Sequence, residues 1–291
     1  MGKKETTVPE RESRQSEGRL HYVGSDPVGL SERILDALRN AGKDLDRLRP
    51  EDLAPIDEFH TLGRMATLEL AEMAGISEAT GVLDVGCGVG GPSRTLAAER
   101  GCPVTGVDLV DDYCVAARML TRLVGLSDLV EFSQADALEL PFADGEFDVV
   151  WSQHAAMNID NKAALYREMN RVLKPGGTLA IFDVLANPDG PPGPIHLPVP
   201  WARTAAMSNL VSPKDLRTFL TESSFILTGW NDVTDTALRV FEKLEVRIRQ
   251  GGLSPLGTHI LVGPDFEAMV SNQLRNFREQ RISVIQVAAR K

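Results

Sequence analysis

Residues 82–91 read Val-Leu-Asp-Val-Gly-Cys-Gly-Val-Gly-Gly, a short aliphatic run that breaks into four glycines within six residues. The run predicts a buried parallel strand, and the glycines predict its abrupt conversion into a helix. Glycine accepts positive φ and lets backbone N–H groups approach a ligand, while the helix opening near Pro92 turns its positive end to the same spot. A chain built on this stretch is expected to form an α/β sheet with a ligand lying over the turn.

Gly86, Gly88 and Gly91 match the dinucleotide spacing G-x-G-x-x-G. Asp84 argues for a different ligand, because a carboxylate two residues before the first glycine repels a pyrophosphate and attracts an ammonium group. A zwitterionic cofactor without phosphates fits better. Asp84-Val85-Gly86-Cys87-Gly88 resembles the first motif of the class I methyltransferases that use S-adenosylmethionine. An NAD-dependent oxidoreductase remains the alternative that the glycine spacing alone would allow.

The chain after the motif extends the resemblance. Helix 92–100 precedes a strand at 103–109, ending in Asp108, which stands where the family places the acid that accepts the ribose hydroxyls. A helix over 112–123 and a strand over 130–133 lead to Ala135-Asp136-Ala137, and Asp136 matches the family's acid for the adenine amino group. Three acids thus fall at three successive strand ends. The resemblance implies S-adenosylmethionine contacts from Asp84, Gly86, Cys87, Gly88, Gly91, Asp108, Leu109, Asp136, Ala137 and Gln153.

Phe147 to Trp151 reads as a fourth strand, followed by the loop Ser152-Gln153-His154-Ala155-Ala156-Met157-Asn158 where a methyl group would face its acceptor. His154 is the candidate base, with an ordinary histidine pKa near 6.5, and Asn158 the candidate orienting group. A helix over 160–172, the turn Leu173-Lys174-Pro175-Gly176-Gly177 and a strand over 178–184 follow. Leu-Lys-Pro-Gly-Gly is frequent in this methyltransferase class, and its lysine is read as a surface residue.

Residues 1–18 carry almost no large apolar side chain and are expected to be a flexible tail, with 19–75 a helical cap that includes one continuous helix from Ile56 to about Ala74. Residues 186–201 hold six prolines, too stiff for core secondary structure, and read as part of a lid. Helices over 212–223, 236–250 and 265–279 and strands over 226–232 and 282–288 complete the chain, with lid insertions at about 185–211 and 235–280. His60, Arg64, His196 and Trp201 are the candidate acceptor contacts, Arg64 as a bidentate partner for a carboxylate. The fold implied is α/β, a doubly wound, mainly parallel seven-stranded sheet whose last strand is antiparallel, with helical lid insertions.

Within the class, the loop after the fourth strand and the proline-rich insertion look most like sarcosine, dimethylglycine and phosphoethanolamine N-methyltransferases. His154 and Asn158 stand where those enzymes often carry Asp and His, whereas quinol C-methyltransferases often carry Asn at the second place. The resemblance therefore implies N-methylation of a glycine- or sarcosine-type amine, with C- or O-methylation of a quinol or phenol as the alternative.

A net charge of −10 and a pI of about 5.1 argue against nucleic acid and anionic lipid as partners. No apolar run reaches membrane-span length and no secretory h-region opens the chain, so a cytoplasmic protein is expected. Cys87, Cys102 and Cys114 lack metal-ligand spacing and read as reduced thiols. The expected partner is a small-molecule acceptor, with a homodimer open.

Overall fold

A computed structural model describes residues 29–291. The expected tail and the first ten residues of the cap lie outside the described residues. A seven-stranded sheet runs through the molecule in the order β3-β2-β1-β4-β5-β7-β6, built from β1 (Val82–Val85), β2 (Val104–Asp108), β3 (Val130–Gln134), β4 (Phe147–Gln153), β5 (Leu173–Ala186), β6 (Ile226–Asp232) and β7 (Ile282–Arg290). The first five strands pair in parallel, and β7 runs antiparallel between β5 and β6. The strand order reverses at β1 and β4, the place where an open sheet of this kind leaves a crevice at the carboxyl ends of its strands.

Alternation along the strands sorts side chains onto two buried layers. Val82 of β1, Val149 and Trp151 of β4 and Phe182 of β5 point to one face. Leu83 and Val85, Val150, and Leu179 and Ile181 point to the other. The second face is covered by α6 (Lys162–Val172) and α7 (Pro213–Glu222). The first carries α4 (Gly91–Arg100) and α5 (Asp111–Leu123), and over them everything that the sequence marks as cap or lid. That material comprises α1 (Leu30–Asn40), a one-turn α2 (Ala54–Asp57), α3 (Arg64–Ala74), α8 (Thr234–Gly251), a one-turn α9 (His259–Val262) and α10 (Phe266–Arg278).

Two expectations change in detail. The continuous helix from Ile56 to Ala74 is interrupted after Asp57, and residues 58–63 form a loop in which Leu62 and Gly63 have φ of 68° and 57°. Gly63 serves as the N-cap of α3, so the apolar spacing across the break belongs to two short elements and a turn, all packing on one core. In β5, Leu173 pairs with Phe147 and the next pair is Thr178 with Val149, so Lys174–Gly177 bulge out as the expected turn. Lys174 ties that turn to Asp148 at 2.8 Å.

The proline-rich run is strapped to α10. Asn276 brackets His196, its side-chain oxygen accepting from the His196 N–H at 2.8 Å and its amide donating to the His196 carbonyl at 3.0 Å. Asn272 donates to Pro198 O and Arg281 to Pro194 O, at 3.1 and 3.0 Å. Side-chain amides thus bind backbone that proline prevents from pairing as a strand.

Candidate active site

A cavity of about 380 Å³ opens at the sheet reversal. Gly86 and Gly88 after β1, Asp108 and Leu109 after β2, Asp136 and Ala137 after β3, and Gln153 and His154 after β4 line it together with Cys87, Gly91, His60 and Asn158. The glycine turn shows why these residues are small. A Cβ on Gly86, whose φ is 80°, would sit 2.3 Å from the Cβ of Ala155, and one on Gly91 would sit 2.0 Å from the carbonyl oxygen of Asp57. A Cβ on Gly88 would meet nothing within 4 Å, so there the turn faces open space.

The three acids are held in different ways. Asp108 accepts from the amides of Gly88 at 3.0 Å and Val110 at 2.9 Å, which tethers the end of β2 to the glycine turn and aims the carboxylate along the cavity wall. Burial raises its pKa, and the three amides facing it pull the other way. Asp136 takes the amide of Leu138 at 3.0 Å in a local turn. Asp84 does not line the cavity. It is buried behind Val85 with Ser93 donating to it at 2.6 Å, and burial pushes its pKa up to about 7.

Asp57, which the sequence did not single out, closes one side of the cavity. Its carboxylate receives Nη2 and Nε of Arg94 at 2.5 and 3.1 Å, and Arg94 spends its remaining donors on the carbonyls of Val89 and Ala117 and the hydroxyl of Thr121. Both residues are fully buried. This fork clamps the cap, the glycine turn and α5 into one unit. Nothing in the local spelling of either residue announces the pair, since 37 positions separate them.

His154 occupies the left-handed region, with φ of 51°, directly after β4. The turn carries its ring to 4.8 Å from that of Phe182 and 6.2 Å from that of His60, measured between centroids. Its Nε2 is buried and meets no hydrogen-bonding partner within the protein. Burial, and secondarily the neighbouring His60, drive its pKa well below 6.5, so the ring is neutral over a wider range than the sequence expectation allowed. His60 sits in the loop after α2, not on a helix, with Nε2 3.1 Å from Thr67 Oγ1 and 2.9 Å from Glu58 Oε2. Thr67 passes the chain on to Gln153 Oε1, which also receives the Trp151 indole N–H at 3.0 Å.

A second, smaller cavity of about 220 Å³ adjoins the first, and Phe59, His60 and His154 belong to the walls of both. Its other walls are apolar for the most part: Leu62, Met157 and Trp201, then Val240, Phe241 and Leu244 of α8, and Phe266 and Val270 of α10. Of the four candidate acceptor contacts, His60 and Trp201 line this cavity. Arg64 and His196 do not. Arg64 points away from both cavities and ion-pairs with Glu99, and His196 pairs with Glu279 at 2.7 Å on the outer side of the lid strap. Asn158 lines the first cavity, but its amide donates to the carbonyls of Trp201 at 2.6 Å and Met207 at 3.2 Å. It pins the lid.

Lys162 is a second buried cation missed from the sequence. Its ammonium donates to the carbonyls of Ala156 at 2.6 Å, Asn209 at 2.7 Å and Ile159, joining the loop after β4 to the lid.

Residues 83–181 match a family described as the methyltransferase domain. Over that span the chain resembles a methyltransferase domain. Its fold is that of the class I methyltransferases. Methyltransferase GfsG of Streptomyces halstedii is 40% identical over 134 residues, which are 46% of this chain and 48% of that protein. The glycine/sarcosine/dimethylglycine N-methyltransferase of Actinopolyspora halophila is 29% identical over 227 residues, 77% of this chain and 38% of that protein. The chain thus spans less than half the length of these curated relatives. Among solved structures, phosphoethanolamine N-methyltransferase 2 of Haemonchus contortus, in complex with S-adenosyl-L-methionine, superposes with a TM-score of 0.69 at 18% identity, covering 100% of this chain and 61% of that one. Among the described residues no helix is long and apolar enough to cross a membrane.

Proposed function

We propose that the chain is an S-adenosylmethionine-dependent methyltransferase acting on a small, largely apolar acceptor through a hydroxyl or an electron-rich carbon. The observation that carries this reading is the pair of cavities sharing the wall of Phe59, His60 and His154. One is bounded by the glycine turn and by Asp108 and Asp136; the other is mostly apolar, with Glu58, Thr61, Thr258 and Gln273 as its polar lining besides the two histidines, and has no arginine or lysine.

The first cavity suits the cofactor. Gly88 leaves room above the turn, Asp108 offers a carboxylate to paired hydroxyls, and Asp136 with Leu138 edges the third loop. Bound there, the cofactor supplies a methyl group already activated on sulfonium, so the protein has to align the acceptor and exclude water. His154 stands on the shared wall with an unpartnered Nε2, placed to accept the proton of an acceptor hydroxyl. Phe182 packs against the His154 ring, and Trp201 helps to close the second chamber against water.

N-methylation of a glycine-type amine is the second reading, supported by the Actinopolyspora relative that aligns over 77% of this chain. It lacks the carboxylate partner that Arg64 would have given, because that guanidinium is committed to Glu99 outside the chambers. Calorimetric titration tests the cofactor first. S-adenosylmethionine is expected to bind and NAD is not, and Asp108→Ala is expected to weaken binding by about 1.5 to 3 kcal/mol through loss of a charged acceptor. Product mass spectrometry with a phenol panel and an amine panel then separates the two acceptor readings.

A further inference from the structure

α10 presents Phe266, Val270 and Gln273 to the second chamber, one residue per turn along the same helix face. The facing residues from α8 are Val240, Phe241 and Leu244. Every neighbour in that stripe is apolar, and the period calls for a leucine or a valine at 273. Gln273 is instead 2% exposed, and its Oε1 meets no hydrogen-bond donor of the protein. The polar groups elsewhere in the lid are satisfied in place: Asn272 by Pro198, Asn276 by His196, and Trp201 by Ser208. A buried amide oxygen without a donor is a standing cost to the fold, and Gln273 is one of the residues that line the chamber.

We infer that Gln273 reads a second polar group on the acceptor: an otherwise apolar molecule that carries, besides the group facing His154, a hydroxyl or N–H that donates to Gln273 Oε1. This rests on the reading of the second chamber as the acceptor site. Beside Glu58, whose Oε2 lies 2.9 Å from His60 Nε2, the residues lining the chamber carry two further buried acceptor atoms without protein donors, His154 Nε2 on the wall shared with the first cavity and Gln273 Oε1 on α10. A molecule with donors at both ends satisfies both atoms, whereas a hydrocarbon leaves both stranded and a molecule with one donor leaves one. Selection follows from the penalty for the unsatisfied atom more than from the strength of the bond formed.

The test uses three probes of one shape, tert-butylhydroquinone, 4-tert-butylphenol and tert-butylbenzene, titrated into the full chain saturated with S-adenosylhomocysteine. The wild type is expected to bind the dihydroxy probe at least about tenfold more tightly than the phenol. Gln273→Leu is expected to bring the two within about twofold of each other while its melting temperature stays level or rises, because the substitution removes an unsatisfied buried oxygen. Persistence of the full preference in the variant overturns the inference, as does failure of the wild type to bind any of the three probes. A lower melting temperature with equal loss for the two hydroxylated probes also overturns it, since that is the mark of a residue needed only for packing. Binding is read without turnover, so a protein that discriminates the probes but transfers no methyl group refutes the proposed activity and leaves the role of Gln273 standing. Failure of S-adenosylhomocysteine to bind refutes the cofactor reading by itself.

Discussion

Arg94→Met is the most severe test of how the site is built. The side chain donates five hydrogen bonds, two to the Asp57 carboxylate and one each to Val89 O, Ala117 O and Thr121 Oγ1, and all of them lie in the buried interior. Methionine fills most of the volume but returns none of the donors. A buried carboxylate stripped of its cation costs about 3 to 5 kcal/mol, a large share of the roughly 5 to 15 kcal/mol by which a domain is stable. Protonation of Asp57 limits the loss. Burial already raises its pKa from 3.8, and Arg94 is the main group holding it down, so without Arg94 it rises further. A carboxyl whose folded pKa lies above its unfolded one loses stability as pH climbs between the two values. The deficit of the variant is therefore expected to be smaller at pH 5 than at pH 8. Urea unfolding followed by circular dichroism at both pH values measures it, and Asp57→Asn in the same background is expected to restore at least about 1 kcal/mol at pH 8. A loss below about 1 kcal/mol, or a pH-independent deficit that Asp57→Asn leaves unchanged, refutes the claim that this ion pair clamps the cap to the turn.

His154→Ala is expected to lower kcat by about 10²- to 10⁴-fold with cofactor affinity nearly intact, if His154 takes the acceptor proton. Its pKa lies well below 6.5, so the acid limb that it sets in kcat/KM falls on the acid side of neutrality. A limb near pH 7 that survives in the variant belongs to another group, with Asp84 and Asp183, both raised to about 7 by burial, the candidates. Lys162→Met takes the ammonium donor away from three carbonyls and is expected to cost about 1 to 3 kcal/mol and to speed amide exchange across residues 207–211. Burial lowers the Lys162 pKa to about 8 from 10.5, so between those values the unfolded chain holds the proton that the folded one releases. The wild type then gains stability relative to Lys162→Met from pH 8 to 10, which urea midpoints at the two pH values check.

The parts of the site carried by strand ends were legible in the sequence. Asp108 and Asp136 stand at the carboxyl ends of successive strands, and β1 with its glycines fixes where those ends must converge. Local pattern suffices there because a parallel strand and its following turn are read from contiguous residues. The lid contacts were legible only in part, since His60 and Trp201 line the chambers and Arg64 and His196 do not. Residue type and neighbourhood point to His60, Arg64, His196 and Trp201 alike, but the directions of the Arg64 and His196 side chains depend on partners far along the chain. Glu99 lies 35 positions after Arg64 and Glu279 lies 83 after His196; both glutamates draw their partners away from the chambers. The apolar period from Ile56 to Ala74 hid a break, because two short elements and the loop between them pack against the same core. Gly63 was the available sign. Arg94 and Lys162 stand on amphipathic helices where the period predicts only a buried position, and a buried cation declares itself only when its acceptors come together in space.

The wall between the two chambers is set by the glycine turn as much as by the loop that carries His154. Gly86 and Ala155 approach so closely that a Cβ at 86 would fall 2.3 Å from that of Ala155, and the backbone just before Ala155 is held in the left-handed region at His154. A methyl group at 86 would meet two obstacles, since its own φ of 80° is strained for any residue with a Cβ, and the loop at 154–155 would have to retreat. Retreat of that loop moves the His154 ring off Phe182 and widens the shared wall. The first glycine of the motif consequently does more than admit a ligand to the backbone. It lets β1 and β4 end close enough together for the residue after β4 to reach the boundary between the two cavities. This coupling connects the sequence feature that dictates the fold to the placement of the group proposed to take the proton.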